Sequence, residues 1–149
     1  MSILVDTNIL TRIADTSSPH HAAAVQSVRL LLTAGETLVG VPQILYEFWA
    51  VATRPAGAPN GLGMTTAEAK VESDLLRKTF TFFPDTPEVF EEWERLVVQY
   101  DAKGKSAHDA RLVAAMNVHR IPRILTFNGS DFARYPIIVL DPSSVVRAP

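Results

Sequence analysis

Five short apolar runs, each separated from the next by stretches with helical spacing or turn chemistry, constrain this chain most. Ser2–Val5, Thr37–Val41, Thr81–Phe83, Arg123–Phe127 and Ile137–Leu140 read as strands. Strands alternating with helices predict an α/β fold, a mostly parallel sheet with helices on both faces. The first helix is expected from Asn8 to about Asp15. A second, capped by Ser18 and opened by Pro19, carries Ala24, Val28, Leu31 and Leu32 at helical period and stops at Gly35. Pro42 opens a strongly apolar helix to about Arg54. Pro55–Gly63, rich in proline and glycine, reads as a surface loop whose role the letters do not give. Thr65 and Glu68 make a capping box for a helix ending near Phe80. Thr86-Pro87 caps a helix from Glu88 to about Ala102, with Val89, Trp93, Leu96, Val97 and Tyr100 on one face. Gly104 ends it, and Ser106 caps a last helix whose Ala110, Val113, Ala114 and Asn117 form a narrow stripe.

With 149 residues, 47% hydrophobic and 20% charged, the chain suits one domain over residues 1–149 that buries roughly two-thirds of its unfolded surface. It has no cysteine, which excludes a disulfide framework and a thiolate metal site and fits a reducing cytoplasm. The opening Met1-Ser2-Ile3-Leu4-Val5-Asp6 lacks the cationic flank and apolar length of a signal peptide. No segment approaches the ~20 apolar residues that span a bilayer. A soluble, cytoplasmic protein without a membrane partner is expected. The net charge of −2 does not advertise a nucleic-acid binder, but metal ions reverse the field locally and basic residues can cluster.

Four carboxylates stand where strands should give way to helices: Asp6, Glu47, Asp109 and Asp131. Singly, each has an ordinary role. Asp6 can cap a helix, Asp109 can face a helix N-terminus, and Asp131 sits in a turn with Asn128, Gly129 and Ser130. Glu47 is harder to explain, because Ile44, Leu45, Phe48, Trp49 and Val51 leave its helix little polar face. If the strands are parallel neighbours, all four acids meet beyond the carboxyl ends of one sheet, where open α/β folds bind ligands. Four such charges repel strongly unless cations lie among them. Hard divalent cations prefer oxygen ligands, and one or two of them activate water and stabilise the leaving oxygen in phosphodiester hydrolysis. Asp6 and Asp109 are the best candidates for direct or bridging ligands, with Glu47 and Asp131 acting through water or on a second ion. Thr7 and Asn8 can orient Asp6, and Asn128 can do the same for Asp131.

Leu4-Val5-Asp6-Thr7-Asn8, the helix from Pro42 to Glu47, His108-Asp109-Ala110-Arg111, and Leu125-Thr126-Phe127-Asn128 with Asp131-Phe132 together resemble the PIN-domain nucleases, in particular the VapC-like ribonuclease toxins of toxin–antitoxin pairs. The resemblance covers nearly the whole chain. It implies a three-layer α/β/α sandwich around a five-stranded, mostly parallel sheet. It also implies a Mg²⁺- or Mn²⁺-dependent endoribonuclease acting on RNA, a homodimer and a cognate antitoxin. In that family the four acids are the metal-binding residues, matching Asp6, Glu47, Asp109 and Asp131. The Pro55–Gly63 loop looks like an insertion seen in some members.

Arg12, Arg54, Lys103, Lys105 and Arg111 lie near the acidic elements in sequence and can contact RNA phosphates, which position RNA without reading it. Arg111 is favoured because it shares a helix with Asp109. His20 and His21 are expected far from the acids, and His108 on another side of its helix. The cluster Phe80-Thr81-Phe82-Phe83, with the preceding helix, is a candidate dimer or antitoxin surface. A receiver-type signalling domain is disfavoured, because neither Thr37–Val41 nor Arg123–Phe127 ends in the phospho-acceptor Asp or the Lys it requires. A phosphatase with an Asp nucleophile needs a second acid where Asn8 stands. An RNA-processing nuclease without an antitoxin, and a catalytically silent metal-binding or antitoxin-titrating protein, remain as alternatives.

Overall fold

The computed structural model describes residues 1–149. Ser2–Val5 forms the first strand, β1, and its Ile3, Leu4 and Val5 are fully buried. A strand with no solvent face belongs inside a sheet covered on both sides. β2 (Thr37–Gly40) lies on one side of β1 and β4 (Arg123–Leu125) on the other. β3 (Thr81–Phe82) and β5 (Ile138–Leu140) form the edges, giving the order β3-β2-β1-β4-β5. Every neighbouring pair is parallel, with Leu4 opposite both Val39 and Ile124. The expected five-stranded α/β architecture is therefore observed.

The helices are α1 (Thr7–Ala14), α2 (His21–Thr33), α3 (Pro42–Thr53), α4 (Thr66–Thr79), α5 (Pro87–Gln99), α6 (Ser106–His119) and α7 (Pro142–Arg147). From β1 the chain steps to β2 and on to β3, then returns across the sheet to β4. Right-handed crossovers thus put α1–α4 on one face and α5–α6 on the other. The packing agrees: α1 touches α2 and α3, α3 touches α4, and α5 lies along α6. Onward connections run to opposite sides from β1 and β4, so the crevice beyond their carboxyl ends is the sheet's switch point. No helix is long and apolar enough to cross a membrane.

Pro42 starts α3, and its Ile44 and Phe48, one helical turn apart, are at most 1% exposed. Truncating Phe48 to Ala at such a site would cost about 3–5 kcal/mol. The capping box of Thr65 and Glu68 forms as expected. Downstream of α3, the Pro55–Gly63 loop folds back on the helix end. Amides of Leu62, Gly63 and Met64 donate to the carbonyls of Val51, Arg54 and Ala52 at 3.2, 2.8 and 2.8 Å, satisfying carbonyls that a helix terminus leaves open. Gly61 makes this return possible, because a Cβ there would collide with the Pro55 carbonyl oxygen.

Several local expectations differ. α2 begins at His21, and the Ser18 hydroxyl instead accepts from the His20 amide in the preceding turn, at 3.2 Å. Ser106 is the first residue of α6, not its cap. α5 stops at Gln99, before Asp101 takes a left-handed φ of 50°. α6 buries Ala110 and all of Leu112 to Met116, far more than a stripe, whereas Asn117 is exposed and donates to Glu92 at 3.0 Å. A 3₁₀ turn at Gly129–Phe132 and the helix α7, which packs on α2, were not foreseen.

Candidate active site

Asp6 closes β1 and caps α1. Its amide continues the sheet by donating to the Leu125 carbonyl at 3.0 Å, and its Oδ1 accepts from the Thr7 amide at 2.7 Å. Oδ2 accepts from the Thr126 hydroxyl at 2.8 Å and the Asn8 amide at 3.3 Å. Thr126 is fully buried, and its oxygen also accepts from Asn8 Nδ2 and the Asn128 amide, both at 3.0 Å. Asn8 Oδ1 in turn accepts from the Phe127 amide at 3.2 Å. Asn8 and Thr126 therefore lock the ends of β1 and β4 together around one carboxylate.

Glu47 projects from the second turn of α3. The Thr7 hydroxyl donates to its Oε2 at 2.7 Å, and Gln43 Nε2 donates to Oε1 at 2.8 Å. Asp109 lies in the first turn of α6 and Asp131 in the 3₁₀ turn after β4, where the Asp131 amide donates to the Asn128 carbonyl at 3.0 Å. Asn128 thus touches Asp131 through its backbone.

All four acids line one cavity of about 420 Å³, together with Thr7, Asn8, Thr11, Asn128, Arg12, Arg54 and Lys105. A fifth acid, Asp15, whose carboxylate accepts from the Ser17 hydroxyl at 2.6 Å, also borders it. Ala50, Val51, Asn60 and Leu62, from α3 and the loop after it, form another part of the wall. Burial pushes the Asp6 carboxyl up to about 6, against the Thr126 and Thr7 hydrogen bonds and with the charges of Glu47 and Asp109 adding to the rise. Asp109 also rises to about 6, through burial first and then the charge of Asp131, with Lys105 opposing. Asp6 and Asp109 thus feel neighbouring acids, and none of the four makes an ion pair with a cationic side chain. A donor set made wholly of oxygens, with mutual repulsion to relieve, suits a hard divalent cation. As the side chains lie, no three acids converge tightly enough to hold an ion.

The basic residues divide. Arg12, Arg54 and Lys105 reach the acidic cavity, where Arg54 donates to the Pro59 carbonyl at 3.1 Å. Lys103 pairs with Asp101 at 3.0 Å. Arg111 faces a separate hollow with Phe90, Trp93 and His108 and pairs with Asp85 at 2.8 Å; a carboxylate, not the cavity, takes its guanidinium. His21 Nδ1 lies 2.9 Å from the Arg12 carbonyl, and the His20 ring rests on Phe127 at 5.1 Å.

Two structural partners of the acids were missed by sequence reasoning. Thr126 is the polar ending of an apolar run, and Gln43 is a polar letter one helical turn before Glu47. Each stands out only once its neighbours are known to be buried.

Comparison with solved structures finds toxin–antitoxin proteins. VapC20 of Mycobacterium tuberculosis, a sarcin-ricin loop cleaving toxin, is 17% identical with a TM-score of 0.65 over 91% of this chain and 98% of that one. The VapBC2 structure of Rickettsia felis, bound to a promoter DNA fragment, gives 13% and 0.69 over 95% and 98%. A toxin–antitoxin complex from Klebsiella pneumoniae gives 22% and 0.63 over 94% and 97%. At these identities the likeness speaks for the fold. No curated protein sequence matches the chain. The PIN domain family model matches residues 3–138, across every strand that carries or adjoins an acid, and on that match the chain belongs to the PIN domain family.

Proposed function

We propose that this protein is a Mg²⁺- or Mn²⁺-dependent endoribonuclease, the toxin half of a toxin–antitoxin pair, acting in the cytoplasm as a homodimer whose residues 1–149 form one domain. The observation that carries the reading is the set of four carboxylates, drawn from four separate elements, on one cavity with no neutralising ion pair. Likeness to toxin–antitoxin structures supports the pairing with an antitoxin.

Asp6 and Asp109 would hold the cation directly, while Glu47 and Asp131 would act through bound water or turn inward. When bound there, a divalent cation supplies Lewis-acid polarisation of water and of the scissile phosphate. The chain's own contribution is orientation. Thr126, Asn8 and the Thr7 amide fix the Asp6 carboxylate, so its lone pairs are aimed before the cation arrives. The Thr7 hydroxyl and Gln43 do the same for Glu47. Arg12 and Lys105 at the cavity would meet RNA phosphates and hold the backbone against the acids.

RNA cleavage with and without Mg²⁺ or Mn²⁺ tests the reading, with wild type set beside Asp6→Asn and Asp109→Asn. Cleavage should require the cation and vanish in both variants. Unchanged cleavage in both, at similar folded stability, would overturn it. A short reading frame for a DNA-binding protein directly upstream is the expected genetic context of the antitoxin.

A further inference from the structure

Gln43 is 5% exposed, in the first turn of a helix that otherwise buries apolar side chains. A buried amide costs roughly 1–3 kcal/mol unless its donors and acceptor find partners. Here every group is used. Nε2 donates to Glu47 Oε1 at 2.8 Å and to the His108 carbonyl at 2.9 Å, while Oε1 faces the Arg111 guanidinium at 3.4 Å. This pattern also fixes which amide atom is nitrogen, since a carboxylate and a carbonyl accept and a guanidinium donates.

The geometry matters for the cavity because α3 and α6 belong to opposite faces of the sheet and have little direct packing. Gln43 joins them at two points. One bond ends on an acid of the cavity, and the other ends on the peptide carbonyl immediately before Asp109. No side-chain hydrogen bond holds Asp109, and the Glu47 charge repels it. Left to electrostatics alone, the two acids would separate. We propose that Gln43 is a positioning residue of the acidic cavity: its amide orients Glu47 and clamps the α6 N-terminus, thereby setting the gap between Glu47 and Asp109. The proposal rests on the reading that these carboxylates hold a divalent cation.

The test is Mn²⁺ binding to the full chain by titration calorimetry, a readout independent of RNA cleavage. Gln43→Met keeps the length of the side chain and removes its hydrogen bonds; Gln43→Leu serves if that variant does not fold. Groups that orient metal ligands commonly govern affinity by 10–100-fold, so Gln43→Met should weaken Mn²⁺ binding about 10-fold. The same change made in a Glu47→Gln background should cost clearly less than in wild type, because one of the two groups it holds is already altered and only the release of the α6 N-terminus remains. An equal loss in both backgrounds would mean general loosening and would overturn the proposal, as would wild-type affinity in Gln43→Met. If wild type binds Mn²⁺ and Asp6→Asn does not, either failure strikes the Gln43 assignment alone. If wild type does not bind Mn²⁺, the metal reading falls and this proposal with it.

Discussion

Where β1, β2 and β4 begin, Glu36 receives both terminal guanidinium nitrogens of Arg123, at 2.9 and 2.5 Å, and the Met1 amine lies at 3.4 Å. Where the same strands end, Asp6, Glu47, Asp109 and Asp131 share a cavity without one ion pair among them. The acid at the first end is held down to about 2, chiefly by its bond to Arg123. Two acids at the other end are pushed up to about 6, chiefly by burial. The sheet can pair a carboxylate with an arginine and does so at the starting end of its strands. Leaving four without an ion pair at the opposite end is therefore a specific arrangement, one that costs stability and leaves negative charge uncompensated within the chain.

The strongest way to break this contrast is Asp6→Asn. Under the proposed function, cation-dependent RNA cleavage should fall by at least about 100-fold, the loss expected for a proposed metal ligand. A gel assay in excess Mn²⁺ that finds activity within a few-fold of wild type would dissolve the distinction between the two ends.

Next in size is the pH dependence of the metal-free protein. Folded Asp6 and Asp109 hold their protons up to about pH 6, whereas the unfolded chain gives them up near 3.8. The folded state thus binds more protons in that window, and stability must fall as pH rises from about 4 to above 6. At 1.36 kcal/mol per pKa unit, Asp6 sets an upper bound of about 3 kcal/mol; half-exposed Asp109 adds less because solvent screens it. Glu36 has the opposite sign, its contribution being present above about 4.5 and lost as pH falls toward 2. Urea denaturation in chelator at pH 4.5 and 7.5 should show the decline in wild type and a smaller one in Asp6→Asn. Equal slopes would refute the assignment.

Arg123→Met probes the paired end. Removing a partly exposed ion pair should lower the melting temperature by about 2–4 °C and leave cleavage per folded molecule unchanged. A large loss of cleavage would show that the two ends are coupled. The smallest effect belongs to Lys105→Ala, which should weaken RNA binding several-fold and make the logarithmic salt slope shallower by about one unit or less. Binding that ignores the substitution at low salt would remove Lys105 from the RNA path.

Much of this was legible because backbone physics writes itself into letter patterns. Ile3-Leu4-Val5 can only be a strand covered on both faces, and Asp6 after it can only sit at the strand's exit. Parallel pairing then gathers the acids without further information. The unreadable parts depend on long-range partners. Nothing local distinguishes Arg111 bound to Asp85 from an arginine at the cavity, since Asp85 is 26 residues away. Gln43 is an unremarkable letter until His108 is placed beside it, 65 residues on. Ser106 and Ser18 carry the chemistry of caps but lose that position to turns set by Lys105 and His20. Helix α7 is six residues long, too brief to show a period.

The return of Pro55–Gly63 onto α3 separates a root tied to the helix end from a tip held mainly by its own turn, where the Ala58 amide donates to the Pro55 carbonyl at 2.9 Å. Its root spends the Leu62, Gly63 and Met64 amides on the helix end, while Asn60 and Leu62 border the opening. Adding or removing letters between Ala56 and Pro59 would leave the three helix-end bonds whole, at the expense of the tip's own turn and the Arg54 bond to Pro59. Descendants of this chain thus have a route to a differently shaped mouth that never touches the acids inside.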